Sequence, residues 1–276
     1  MMEITSMQSS ILETSSGKGQ DFVAQGKKTN GDLWYLVMDG HGKNKVIDAL
    51  RKLDYITIME NSNPARTIND YVDKMGDTFN SGATLSLVII SPTQINCYWK
   101  GDSTIKIWRD GKEIFVSENH NRHNTEEVSR MTREGILREP AWSPKVLDDT
   151  TLTMEPASYY VFNTIIQDNG TVIHDILNMT NSLGHNGMTG NSISEACIKL
   201  NKGATYDLVI ATDGLWDMVH SQDKIHEFND ATSLTEFAIN RWTQEWTYIF
   251  EGYPSERKKL PSGDDIGIVI WKGLIN

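Results

Sequence analysis

Three features of the 276-residue chain predict an α+β fold in which a two-sheet core is covered by helices. Short apolar runs rich in Val, Ile and aromatic residues recur along it, as buried strands require. Glycine and Asp-Gly steps between many of these runs turn the chain back on itself, giving antiparallel meanders. Stretches with apolar residues at helical spacing lie early and late, which places helices outside the strands.

The elements follow in order. Leu33-Trp34-Tyr35-Leu36-Val37-Met38 reads as a buried strand that runs into Asp39-Gly40-His41-Gly42. Val46, Ile47, Leu50 and Leu53 then follow helical spacing, and a second helical stretch opens near Pro64, a residue favoured in a first turn. It carries Ile68, Tyr71, Val72, Met75 and Phe79. Strands are expected at 84–90, 95–100, 104–109 and 113–117, punctuated by Pro92, Gly101 and Asp110-Gly111. Residues 125–133 read as a helix closed by Gly135. From 137 to 201 the pattern is irregular, with one clear strand at 159–166. A buried strand at 207–212 meets Asp213-Gly214. Ser233 with Glu236 has capping-box spacing, and Leu234, Phe237, Ala238, Trp242, Trp246, Ile249 and Phe250 extend one apolar stripe. The last strand, 266–271, starts from Asp264-Asp265. With no repeat and no linker, residues 17–276 form one domain, and 1–16 stand outside it as an N-terminal segment.

Composition narrows the function. A net charge of −11 argues against a nucleic-acid partner, since phosphate backbones need a basic face, and Arg257-Lys258-Lys259 is too short to supply one. Two cysteines, Cys97 and Cys197, make neither a disulfide framework nor a structural zinc site. Residues 1–20 lack the charged and apolar regions of a secretory signal, and no apolar stretch approaches the roughly 18 residues of a membrane span. A monomer in the cytoplasm or nucleus, without membrane contact, is the expectation.

The chemistry lies at strand ends. Three separate apolar runs abut Asp39-Gly40, Asp213-Gly214 and Asp264-Asp265. One Asp-Gly after a strand is ordinarily a turn. Three carboxylates at the rim of a buried sheet repel one another and call for a divalent cation. Gly40 lets its carbonyl approach an ion because no Cβ intervenes. The sequence after Asp39 lacks the alternating oxygen ligands of an EF-hand, and Gly184-His185-Asn186-Gly187 lacks the Lys-Ser/Thr of a P-loop.

The ordered set Gln20-Asp21, Asp39-Gly40-His41-Gly42, Ser81-Gly82-Ala83-Thr84, Gly101-Asp102-Ser103, Asn119-His120-Asn121, Asp213-Gly214-Leu215-Trp216-Asp217 and Asp264-Asp265-Ile266 resembles the type 2C metal-dependent protein phosphatases, the PPM family. The resemblance spans roughly residues 17–271. It implies a four-layer α-β-β-α sandwich of two antiparallel sheets, and hydrolysis of phosphoserine and phosphothreonine in proteins. Asp39 would bridge two Mn²⁺ or Mg²⁺ ions, Gly40 would offer its carbonyl, and Asp213 and Asp264 would hold the first ion. Asp102 and Asp217 match positions for a third, weaker ion. Gln20, Asp21, Asp265 and Thr84 would surround the metals. A water bridging the ions would attack phosphorus with no phosphoenzyme, and His41 is placed to protonate the departing oxygen, a task its ordinary pKa of about 6.5 suits.

The chain departs from the family pattern at four places. Gln20 stands where an acid is common. No arginine precedes it to grip phosphate, which leaves Lys18 as a partial substitute with a point charge rather than a planar fork. Asn181 and His185 replace an arginine and an aspartate, which is expected to loosen that loop, and Asn119 replaces an aspartate before His120. Two other functions fit the same residues: a phosphatase-fold binding protein with little turnover, and a small-molecule phosphomonoesterase. Specificity would reside in residues 137–149 and 184–191.

Overall fold

The structure is a computed structural model and describes residues 4–14, 18–121, 123–134, 137–166, 169–177, 179–187, 189–250 and 252–276. The first part runs β1 (Ile4–Thr14), β2 (Asp21–Lys27), β3 (Leu33–Gly42), α1 (Lys45–Leu50), α2 (Tyr55–Met59) and α3 (Pro64–Asp73). It continues with β4 (Ser81–Ala83), β5 (Leu85–Ile90), β6 (Gln94–Lys100), β7 (Thr104–Arg109) and β8 (Lys112–Val116). The middle holds α4 (Thr125–Arg133), β9 (Leu137–Val146), β10 (Thr151–Ile166), β11 (Val172–Leu177), β12 (Leu183–Gly184) and β13 (Ser194–Lys199). The last part is β14 (Thr205–Ala211), α5 (Asp213–Trp216), α6 (Ala231–Thr243), β15 (Glu245–Ile249), β16 (Glu256–Lys259) and β17 (Ile266–Ile275).

Two antiparallel sheets face each other. One has the order β1-β17-β14-β7-β8; the other is β12-β4-β3-β5-β6-β13, with β2 also on β3. Alternation along β3 explains why its sequence is apolar throughout. Tyr35 and Val37 enter the core between the sheets, beside Val88, Ile210 and Val269. Trp34, Leu36 and Met38 face the opposite way, against Ile47, Leu50 and Ile68 of α1 and α3. On the other sheet Leu208 and Ile210 point inward, while Val209 and Ala211 pack with Leu234 and Ala238 of α6. Strands covered on both faces read as continuous hydrophobic runs. Complete burial of Leu36 implies a cost of about 2–5 kcal/mol for Leu36→Ala.

Several expectations change. A third sheet, β11-β10-β15-β16 with β9 on β10, occupies much of the stretch read as irregular. Pro140 and Pro144 obscured β9, yet proline is tolerated where a strand pairs on one side only, as β9 does here. This sheet is mixed, because β10 and β15 run parallel. Residues 4–14 form β1, which pairs antiparallel with β17. Asp230 rather than Ser233 caps α6, its carboxylate accepting from Ser233 N at 2.8 Å. The helix stops at Thr243, so Trp246 and Ile249 belong to β15, where Trp246 is fully buried. Gly135, expected to close α4, lies outside the described residues.

The topology converges the acidic strand ends. β14 and β17 are antiparallel neighbours, so Asp213 after β14 and Asp264 before β17 emerge at the same edge. Asp39, near the end of β3, belongs to the facing sheet.

Candidate metal centre

Local hydrogen bonding fixes the acids before any charge is considered. Asp21 of β2 lies opposite Asp39 of β3 in the ladder. The Asp39 N–H donates to Thr84 Oγ1 at 2.8 Å, and its carbonyl accepts from Thr84 N at 2.8 Å. Thr84 Oγ1 lies 2.6 Å from Ser103 Oγ, so the position is anchored into the next strand connection. Gly40 N donates to Gln20 O at 3.0 Å, and a Cβ at Gly40 would crowd Ile47 and that carbonyl. On the facing sheet, Thr212 Oγ1 donates to Asp21 Oδ2 at 2.8 Å and Gln20 N donates to Asp265 Oδ2 at 2.8 Å. A Cβ at Gly214 would run into the Asp265 carbonyl, so close packing at this edge requires glycine there.

Asp39, Gly40, His41, Asp213 and Asp264 line one cleft of about 580 Å³, together with Lys18, Gln20 and Asp265. Burial holds the Asp39 carboxyl well above the usual carboxylate range, and the charges of Asp213, Asp21, Asp102 and Asp264 push it further the same way. Asp213 is raised to about 6 by burial and then by Asp264, while a hydrogen bond with Asp39 pulls it back. Asp21 rises to about 8, chiefly through burial and against the Thr212 hydrogen bond. The cationic side chain set against these acids in the cleft is Lys18, 3.8 Å from Asp264 Oδ1 and 69% exposed. Hard oxygen donors, crowded and undercompensated, fit divalent cations of the Mg²⁺ and Mn²⁺ type.

The other expected residues are placed unevenly. Asp102 is buried, and its charge reaches Asp39. Asp217 is exposed at the C-terminus of α5, its N–H donating to Asp213 O at 2.8 Å, and it does not line the cleft. Gln20 does what an acid could not: its amide donates to Gly42 O at 3.0 Å and to Asn44 Oδ1 at 2.7 Å, tying down the turn after His41. Asn119 Oδ1 accepts from Thr104 Oγ1 at 2.9 Å. The loop expected to loosen holds several contacts. Asn181 is buried and donates to Ser192 O at 2.9 Å, and Arg130 donates to Thr180 O at 2.7 Å.

Two contributors were missed from sequence. Arg51, just past α1, donates to Gly19 O at 2.8 Å and to the Asp21 carbonyl, holding the entry to β2. Nothing in its local pattern signals that long-range contact. The other is His185, noticed only as a departure: its Nε2 lies 2.8 Å from His41 Nδ1. The two glycines flanking His185-Asn186 were the available clue. Burial and His185 hold the His41 pKa well below the ordinary value, so an imidazole expected to titrate near neutrality is kept uncharged.

Asp149, His220 and Asp223 form a second cluster, with ligand atoms within 4.8 Å of one another. Arg241 already binds it, its guanidinium donating to both Asp149 and Asp223.

Residues 20–143 match the family model described as Protein phosphatase 2C. No curated protein sequence matches the chain. Among solved structures, a serine-threonine phosphatase 2C from Toxoplasma gondii superposes with a TM-score of 0.61 at 13% identity, over 99% of each chain. The catalytic domain of the serine threonine protein phosphatase PstP, in complex with two manganese ions, gives 0.54 at 16% identity, over 99% of this chain and 100% of that one. A C. elegans sex-determining protein gives 0.58 at 14% identity, and this chain, 97% covered, spans 65% of its length. At these identities the structural likeness is one of fold.

Proposed function

We propose that the chain is a metal-dependent phosphatase acting on phosphoserine and phosphothreonine in proteins, a reading supported by the match of residues 20–143 to the Protein phosphatase 2C family model. The observation that carries this reading is the convergence of Asp39, Asp213 and Asp264 on one cleft, where burial first, and neighbouring acidic charge second, raises the pKa of Asp39 and Asp213. Asp39, the Gly40 carbonyl, Asp213 and Asp264 would hold two Mn²⁺ or Mg²⁺ ions, with Asp102 beside them available to a weaker third. When bound, such ions neutralise phosphoryl charge and lower the pKa of water.

The chain's own groups do the rest. None of the described lining residues is Ser, Thr or Cys, which favours direct attack by water over a phosphoenzyme formed on a hydroxyl or thiol. An O–P bond forms from water and the ester P–O bond breaks. Neutral His41 takes a proton from the attacking water and returns it to the leaving oxygen, yielding inorganic phosphate and a free hydroxyl. Gln20 and Thr84 hold the backbone on either side of Asp39, so the acid does not move as charge develops.

The test is hydrolysis of a phosphothreonine peptide and of p-nitrophenyl phosphate with Mn²⁺, in wild type and in Asp39→Ala and Asp213→Ala. Metal-dependent turnover abolished in both variants is expected. A wild type with no turnover, or variants with full activity, would sink the reading. Equal or better turnover of small phosphorylated metabolites than of the peptide would redirect it to a small-molecule phosphomonoesterase.

A further inference from the structure

We propose that His185 is a positioning residue for His41, fixing it in the one tautomer that leaves Nε2 as the proton acceptor of the cleft. The inference rests on the phosphatase reading for its catalytic meaning, but its geometry stands independently.

His185 is completely buried, with Nδ1 2.8 Å from the Phe79 carbonyl oxygen. A carbonyl only accepts, so this nitrogen carries the His185 proton, and Nε2 of the neutral ring is an acceptor. That acceptor lies 2.8 Å from His41 Nδ1, which therefore donates. The two rings lie parallel, their planes differing by 5° with centroids 4.8 Å apart. His41 Nε2 is left with a bare lone pair, is buried, and has no hydrogen-bond partner among the described residues. The chain Phe79 C=O, His185, His41 thus has a defined direction and ends at His41 Nε2, on a residue that is among those lining the cleft.

The backbone around His185 is bent to deliver this contact. Gly184, His185, Asn186 and Gly187 all have positive φ, at 86°, 50°, 52° and 72°. Two non-glycine residues in the left-handed region carry a steric cost, since each Cβ crowds the following carbonyl oxygen. Asn186 offsets part of this through its Oδ1, which accepts from Thr78 N at 2.7 Å, while its own N–H donates to Thr78 Oγ1 at 3.0 Å. Gly82 provides the slot: a Cβ there would overlap the facing edges of both imidazoles. A strained turn, a side-chain clamp and an obligatory glycine all serve the placement of one ring, and strain retained in this way marks function.

Long-range ¹H–¹⁵N NMR of the metal-free protein reads the tautomer directly. The expected spectrum shows the His41 proton on Nδ1 in wild type and a shift of population to Nε2–H in His185→Leu. A wild-type His41 protonated on Nε2, or a His185→Leu variant that keeps the wild-type tautomer, overturns the proposal. Kinetics with Mn²⁺ supply the second reading. His185→Leu should lose roughly 100-fold in kcat on a phosphothreonine peptide with KM nearly constant, and less on p-nitrophenyl phosphate, where proton transfer from water is still impaired but the leaving group needs no proton. His185→Gln, whose amide can both accept from His41 and donate to Phe79, should restore most of the loss. In a His41→Ala background His185→Leu should add nothing. Equal losses on both substrates, or full additivity with His41→Ala, would show a structural role only. If His185→Leu does not fold, the wild-type spectrum and His185→Gln still decide. A wild type without any Mn²⁺-dependent turnover would count against the phosphatase reading alone, since the tautomer is measured without metal or substrate.

Discussion

Two acidic clusters in this molecule have similar composition and opposite character. Asp149 and Asp223 meet His220 within ligand distance of one another, yet Arg241 sits among them and supplies the balancing charge from within the chain. Asp39, Asp213, Asp21 and Asp264 are pressed together in a region whose cleft is lined by the exposed ammonium of Lys18, and burial, reinforced by their mutual crowding, raises the pKa of Asp39, Asp213 and Asp21. The number and spacing of carboxylates do not distinguish a metal site from a structural ion pair. What distinguishes them is whether the chain has provided the cation.

That comparison can be broken in several ways. The largest effect is expected from Asp39→Ala or Asp213→Ala, which should remove Mn²⁺ binding by calorimetry and with it two-ion catalysis, a loss of at least about 1,000-fold in kcat/KM. Retained Mn²⁺ affinity would dissolve the contrast. Arg241→Leu comes next. Because Arg241 is 5% exposed and paired with the largely buried Asp223, its loss should cost about 3 kcal/mol in chemical denaturation while Mn²⁺ affinity at the cleft stays unchanged.

A pH titration of the metal-free protein is the third test. Asp21 has a folded pKa of about 8 against 3.8 for the free side chain, so the folded state holds more protons and stability falls as pH rises through about 8. Buried His41, His120 and His185, whose values are lowered from 6.5, affect stability only below about that pH, and Lys100, lowered to about 8, only above it. Between pH 6.5 and 8 the acids are therefore expected to dominate: Tm should drop without metal and be restored by Mn²⁺, most strongly at the upper end. A flat profile in that window would contradict the charge crowding. The smallest effect is expected at Lys18. Its loose pairing with Asp264 makes Lys18→Met worth less than about 1 kcal/mol, or under about fivefold in KM for a phosphopeptide.

Much of the sandwich was legible because its strands are apolar on both faces and end in Asp-Gly steps, so that each run carried its own boundary. The third sheet was not, since β9 contains two prolines and pairs on one side only, which erases the usual strand pattern. Asp39, Asp213 and Asp264 could be picked out from strand position, whereas Asp217 was suggested by family pattern and is found on the surface. Arg51 and His185 act through contacts 32 and 144 residues away in sequence. Local periodicity carries no information about such partners; only the fold brings them together. His41 shows the same limit, as its identity was plain but burial and a second imidazole change its protonation.

The place of β17 has a consequence for how the chain acquires its centre. This strand follows the other described strands in sequence, yet it lies between β14 and β1, and Asp265 beside it receives the hydrogen bond of Gln20, 245 residues earlier. Contacts of such sequence separation form late and slowly in folding. The edge that holds Asp264 is therefore incomplete until β17 has been made, and β1 lacks its partner strand until then. A nascent chain exposes Asp39 without its partners and should bind divalent ions weakly, so metal capture becomes a mark of finished folding rather than a step toward it.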